Sequence, residues 1–193
     1  VLCRCFCICS SRGQHFLDRK RLRAGNALGD LVSAAGDDAA GDGGHALHHG
    51  AVGVGVPAVS VAAHKKGKIV DVNQAYMGFG PMGFCEIGTL PSSDITDMIF
   101  RKCYSKDEML KLINNKGTSF SYLGTNSFDK IMSLFENNDK KAKLMLEAMA
   151  YQISKEIASH YVSLDSQIDA IILSGEIFSF KRFFKYISKR IEN

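Results

Sequence analysis

An α/β fold is what this sequence predicts, on three observations. Two short apolar runs meet at His64-Lys65-Lys66-Gly67 in the manner of a β-hairpin. The stretch from Ser92 to Val162 repeats apolar residues at helical spacing. Ile168 to Leu173 is a short apolar run, broken only at Asp169, that ends on Ser174-Gly175. The chain of 193 residues is 46% apolar and 23% charged, which is enough material for a core and excludes a wholly disordered chain. No run approaches the roughly 18 apolar residues that cross a bilayer, and Val1 to Cys9, broken at Arg4, lacks the layout of a signal peptide. A soluble, cytoplasmic protein without a membrane partner is expected. The formal charge of +4 sets 24 basic against 20 acidic side chains, without the concentrated patch that makes nucleic acid a partner.

In order along the chain, Val59, Val61 and Ala63 alternate with small residues, the His64 to Gly67 stretch supplies turn chemistry, and Lys68 to Val72 is the second apolar run of the hairpin. Gly78 to Pro91 is too long and too rich in glycine and proline for either regular structure. Its glycines would let backbone N–H groups approach an anion, and a plain crossover between elements explains the composition equally well. Ser92 or Ser93 can cap a helix bearing Ile95, Met98 and Ile99. Ser105 caps a second with Met109, Leu110, Leu112 and Ile113, and Ser105 to Glu108 has the form of a capping box. After a short Ser121 to Gly124 segment, Asn126 or Ser127 opens a helix through Ile131, Leu134 and Phe135.

Asp139 opens the longest helix, from about Lys140 to Val162. Leu146, Met149, Ala150, Ile153, Ile157 and Tyr161 share its apolar face, with Lys143, Glu147, Lys155 and Glu156 largely opposite. Methionines at this spacing read as core packing rather than as a cofactor box. The Ile168 to Leu173 run has the form of a buried parallel strand delivering a glycine turn, and Phe180 to Ile191 is a basic amphipathic helix. Strand, glycine turn and helix is an arrangement that seats phosphate in many nucleotide sites. Neither G-x-x-x-x-G-K-[ST] nor G-x-G-x-x-G occurs, so a P-loop or a Rossmann fingerprint finds no support.

Residues 1–58 differ in kind from residues 59–193. The first part holds five Arg, one Lys, ten Gly and one Ile; the second holds three Arg, fifteen Lys, eight Gly and fourteen Ile. Ala34 to Gly50 has no apolar period, and residues 1–58 are expected to be poorly ordered. So abrupt a change of bias is also what a shifted reading frame or a gene-model junction leaves in a protein. Cys3, Cys5, Cys7 and Cys9, with His45, His48 and His49 downstream, allow a metal site to be imagined. Strict alternation throws the thiols to one side of a strand instead of wrapping an ion, so no metal is expected. Arg19, Lys20, Arg21 and Arg23 are offset by five Asp in the same part and read as a solvated charge run. The single Cys85 and Cys103 fit a reducing compartment.

The string HKKGKIVDVNQAYMGFGPMGFCEIGTL from His64 to Leu90, followed by PSSDITDMIF, YLGTNS, KAKLMLEAMAYQISKEIASHYVSL and IDAIILSGEIFSFKRF, resembles the C-terminal half of the butyrate kinases. Those enzymes belong with the acetate kinases in the superfamily of sugar kinases and actin-like ATPases. The resemblance covers residues 59–193 and implies a partial ribonuclease H-like C-terminal lobe, ATP held in a cleft between two lobes, and Mg-dependent transfer of the γ-phosphoryl group to butanoate. The same resemblance places Thr125 and Asn126 near the adenine pocket, makes Ser174 and Gly175 part of the nucleotide-contacting turn, and implies a homo-oligomer where the subunit interface is kept.

Several family positions are replaced. Val52 to Pro57 stands where the family has a His-Leu-Gly-Gly-Gly phosphate loop, Ile87 where many relatives carry an arginine facing the transferring phosphate, and Glu176 where a glycine is usual. An apolar Ile cannot stabilise developing anionic charge. The first lobe has no counterpart in residues 1–58, and the family's last strand and helix are expected beyond Asn193. A cleft needs two walls, so little or no kinase activity is expected of this chain alone. The alternative is a noncatalytic interaction module that docks through the long helix.

Overall fold

The computed structural model describes residues 4–9, 14–17, 59–66, 68–73 and 78–191. Five strands form one sheet: β1 (Arg4–Cys9), β2 (Gln14–Leu17), β3 (Ser60–Lys65), β4 (Lys68–Val72) and β5 (Ala170–Ser174), in the order β2-β5-β1-β3-β4. The expected hairpin is β3 and β4, antiparallel with Lys65 opposite Lys68, and Lys66 takes the left-handed conformation at φ 58°. A register irregularity at Ala63/His64 bends the pair. The apolar run before Ser174 is the expected parallel strand: β5 runs parallel to β1, while β2 pairs antiparallel on its other side.

Two stretches of the opening segment, Arg4–Cys9 and Gln14–Leu17, are strands. The period-two pattern of Cys5, Cys7 and Cys9 suits an extended chain, and Arg4–Cys9 gains ladder partners on both sides, which composition alone does not foresee. Residues 18–58 lie outside the described residues. With them lie Ala34 to Gly50, the Arg19 to Arg23 cluster, His45, His48, His49 and Val52 to Pro57.

The helices are α1 (Ser92–Lys102), α2 (Lys106–Asn115), α3 (Thr118–Leu123), α4 (Phe128–Glu136), α5 (Lys140–Ser163) and α6 (Lys181–Ile191), with a 3₁₀ turn at Glu176–Ser179. The capping box at α2 is formed: Ser105 Oγ accepts from the Glu108 amide, and the Ser105 amide donates to the Glu108 carboxylate at 2.8 Å. Ser127 caps α4 and Asp139 caps α5, each accepting from the amide three residues on. The core centres on α5, where Ala142, Met145, Leu146, Met149, Ala150, Ile153 and Ile157 are buried against the hairpin, Leu173 and α6.

Some expectations are corrected. Tyr161 is exposed, and its neighbour His160 is the buried residue at that end of α5, because the chain there turns its polar contacts toward the hairpin. Pro91, not Ser92 or Ser93, precedes α1 at the cap position without a side-chain bond, and none of the residues of α1 is buried. The Ile95, Met98 and Ile99 stripe therefore lies on the surface. Within β3 residues on both faces are buried, Val61 and Ala63 together with Ala62 and His64. β4 lies at one end of the strand order, with Ile69 53% and Val70 48% exposed.

Candidate functional site

Three rings, each in or a few residues from a segment singled out by sequence, touch in a row. Phe84 of the glycine loop stacks edge-on against Phe128 at 5.4 Å, and Phe128 in turn against Phe180 at 5.8 Å. Phe128 opens α4 directly after Thr125-Asn126-Ser127, and Phe180 ends the turn begun by Gly175. Each pair of rings is near the favoured T-shaped geometry.

Gly175 has φ 125° and ψ 154°, a backbone region that glycine alone occupies readily. It is buried, its carbonyl accepts from the Phe178 amide at 3.1 Å, and Glu176 after it is exposed. The backbone of Ser174 ends β5, in register with Cys9 of β1 and Gln14 of β2. Thr125 Oγ1 accepts from the Ser127 amide at 3.2 Å. Asn126 has both ends of its amide engaged: Oδ1 accepts from Ser119 Oγ at 2.9 Å, and Nδ2 donates to the Asn115 carbonyl at 2.7 Å. Ser127, rather than Asn126, provides the cap. Thr125 and Asn126 are therefore tied first to the chain around them, joining α2, α3 and α4.

The glycine loop is irregular throughout, as expected, yet it is held tightly. The Gly80 amide donates to Thr89 Oγ1 at 2.8 Å and Thr89 returns its amide to the Gly80 carbonyl at 3.0 Å. Met82 donates to Gln152 Oε1 of α5 at 2.7 Å, Gly83 to the Glu86 carbonyl at 3.2 Å, and Ile87 to the Ile113 carbonyl of α2 at 3.0 Å. These five amides are spent on the protein itself and are not turned toward an anion. From the other side, Gly117 and Ser119 donate to the carbonyls of Cys85 and Phe84, and Thr118 Oγ1 to that of Glu86. Gly117 can only be glycine in this packing, because a Cβ would stand 2.3 Å from the Cys85 carbonyl.

Three buried polar residues of this region escape the sequence reading. Asn73, 2% exposed, accepts from the Val61 amide and donates toward the carbonyls of Val59 and Phe79, pinning the end of the hairpin to the start of the loop. His160 Nε2 lies 3.0 Å from the Val61 carbonyl and Nδ1 3.3 Å from Asp71 Oδ2. The Asp71 carboxyl is held below its ordinary range, chiefly by the Ser163 hydroxyl at 2.6 Å and also by the His160 ring. Glu86, 5% exposed, sits inside the loop, and burial pushes its carboxyl up to about 7. Each is an ordinary polar residue in sequence, and only the fold makes it buried.

Among the described residues no three His, Cys, Asp or Glu side chains are grouped so as to hold a metal ion, so none of them is assigned to Mg. No helix among them is long and apolar enough to cross a membrane. A sequence model of the Acetokinase family matches residues 48–179. In solved structures the chain is similar to a propionate kinase from Francisella tularensis subsp. tularensis SCHU S4, with a TM-score of 0.62 and 21% identity over 70% of this chain and 36% of that one. It is similar also to Porphyromonas gingivalis acetate kinase, with a TM-score of 0.60 and 19% identity over 70% of this chain and 34% of that one. A third likeness is to an acetate kinase from Entamoeba histolytica, with a TM-score of 0.60 and 15% identity over 70% of this chain and 36% of that one. The chain spans about a third of the length of each.

Proposed function

The chain belongs to the Acetokinase family, and from that premise we propose that it is the nucleotide-side part of a carboxylate kinase acting on butanoate. In that reaction a carboxylate oxygen forms a bond to the γ-phosphorus of ATP while the bond to the ADP oxygen breaks, giving butanoyl phosphate and ADP. ATP supplies the phosphoryl group and Mg shields its charge. Support for butanoate over other short acids comes from the strings between His64 and Phe183 that resemble butyrate kinases. Support for a nucleotide face comes from the row Phe84, Phe128 and Phe180, which links the glycine loop, the start of α4 after Thr125-Asn126 and the residue that follows the 3₁₀ turn after Gly175. We assign nucleotide contact to Thr125, Asn126, Ser174 and Gly175, with Gly175 supplying a backbone that no side chain obstructs.

Catalytic power in this chain is low on our reading. Phosphoryl transfer needs cations and oriented N–H groups around the reacting oxygens. Ile87 offers none, and the loop amides already have partners. The deciding experiment traps acyl phosphate with hydroxylamine in the presence of ATP, Mg and butanoate, acetate or propionate. Little or no product is expected; turnover near that of an intact family member overturns the assignment of low activity. Product from acetate alone overturns the choice of butanoate.

A second reading, as a noncatalytic docking module, is favoured by the outer face of α5, where Leu144, Tyr151 and Val162 are 61%, 52% and 71% exposed. Size-exclusion chromatography with light scattering gives a dimer on this reading. A strict monomer counts against it.

A further inference from the structure

Glu86 is buried inside the glycine loop, and one of its carboxyl oxygens, Oε2, has no hydrogen-bond partner among the described residues. Its backbone is fixed by several bonds. The Glu86 carbonyl accepts from both the Gly83 amide at 3.2 Å and Thr118 Oγ1 at 2.9 Å, and the next residue's amide is bonded to Ile113. Gly117 packs against the same backbone from α3's side, where any Cβ would lie 2.7 Å from the Glu86 carbonyl carbon. The backbone that carries the buried carboxyl is thus held from both sides.

We propose that Glu86 is a proton-operated latch: the glycine loop docks on the α2–α3 turn when the carboxyl is neutral, and ionisation of Glu86 releases it.

The physical reason is desolvation. An ionised carboxylate with an unpaired oxygen in a dry site is far costlier than a neutral acid, whereas in an open loop water solvates it fully. Among the described residues no opposite charge offsets this. On the elements packed against the loop, Lys111 and Lys116 are exposed and exert no resolved influence on the carboxyl, α3 brings Thr118 and Ser119, and α5 brings the uncharged Gln152. Burial is the main cause of the upward displacement, and the residue's own amide is the one interaction opposing it. The sign follows. With the docked carboxyl at about 7 and the open one near the usual 4.5, the docked loop holds one more proton between those values. Docking is therefore fully favoured in mild acid, weakens about tenfold per pH unit as pH rises across that window, and levels off above it.

Hydrogen–deuterium exchange on the full chain, corrected for the chemical rate at each pH, tests this. Protection of the Gly83, Ile87, Gly117 and Ser119 amides should fall about tenfold per unit between about pH 5 and about pH 7, while α5 amides hold steady. Glu86→Gln, a neutral isostere, should keep the loop protected throughout. Flat protection in the unaltered chain, or the same fall in E86Q, overturns the proposal. Carbon-13 NMR of labelled glutamate carboxyls in the unaltered chain decides independently of that variant. One carboxyl titrating near neutrality supports the latch, and all of them titrating in the ordinary range refute it. None of these readouts requires nucleotide or turnover, so the latch and the kinase assignment fail separately.

Discussion

Asn73 shows how much a single side chain can carry. It follows the second hairpin strand, where sequence offers only an Asn at a strand end, a residue type that turns commonly recruit. In the fold its amide lies beneath Gly80, close enough that a Cβ on Gly80 would stand 2.2 Å from Asn73 Nδ2. Gly80 also has φ 107°, so the pair is locked by both space and conformation. Asn73→Ala leaves the buried Val61 amide without its acceptor and should cost about 3 kcal/mol in urea unfolding. A change within about 0.5 kcal/mol would show that water or a shifted backbone takes over the bond. The same reasoning explains what the sequence conceals at Glu86 and His160: polarity is visible in a string of letters, but enclosure is not.

Elements with strong local signals are the ones sequence reveals. The capping box of α2, the Asp139 cap of α5 and the 3.6-residue stripe of α5 are local chemistry, and each has the form expected. α1 and α3 are different. α1 has an apolar stripe that is only half-buried at Ile95 and Met98 and exposed at Ile99, and six-residue α3 is made by tertiary bonds to the loop rather than by its own propensity. Between elements, the end of α5 clasps the hairpin through Ser163 to Asp71, and Lys65 Nζ reaches Asp165 Oδ2 at 2.6 Å just beyond α5. Asp71 is held below its usual 3.8, so its contribution is present above that value and is lost as pH falls through the lowered one. Its side chain is 44% exposed, so solvent screens the effect. Acid should loosen the hairpin below about pH 4. Ser163→Ala should shrink that acid-side loss, measured as the difference in urea midpoint between about pH 3 and about pH 6. An unchanged difference would assign the acid response to other carboxylates.

At the scale of the whole molecule, the α/β class, the hairpin and the parallel strand were legible because each rests on a period or a turn signal. The strand order was not. Nothing in the composition of residues 1–58 indicates that Arg4–Cys9 lies between the hairpin and β5, since ladder partners are chosen by long-range pairing. The residues proposed for nucleotide contact were legible only as separate strings, and the ring contacts of Phe84, Phe128 and Phe180 between neighbouring segments depend on the fold. One further consequence lies at the rim of the sheet. β4 ends the strand order and displays Ile69 and Val70 to solvent, with Lys68 as its one basic guard. Such a margin can recruit extended segments of other molecules into growing aggregates, so shelf life at high concentration should be set there. Val70→Lys should slow concentration-dependent turbidity several-fold at unchanged urea midpoint; equal rates would place the sticky surface elsewhere.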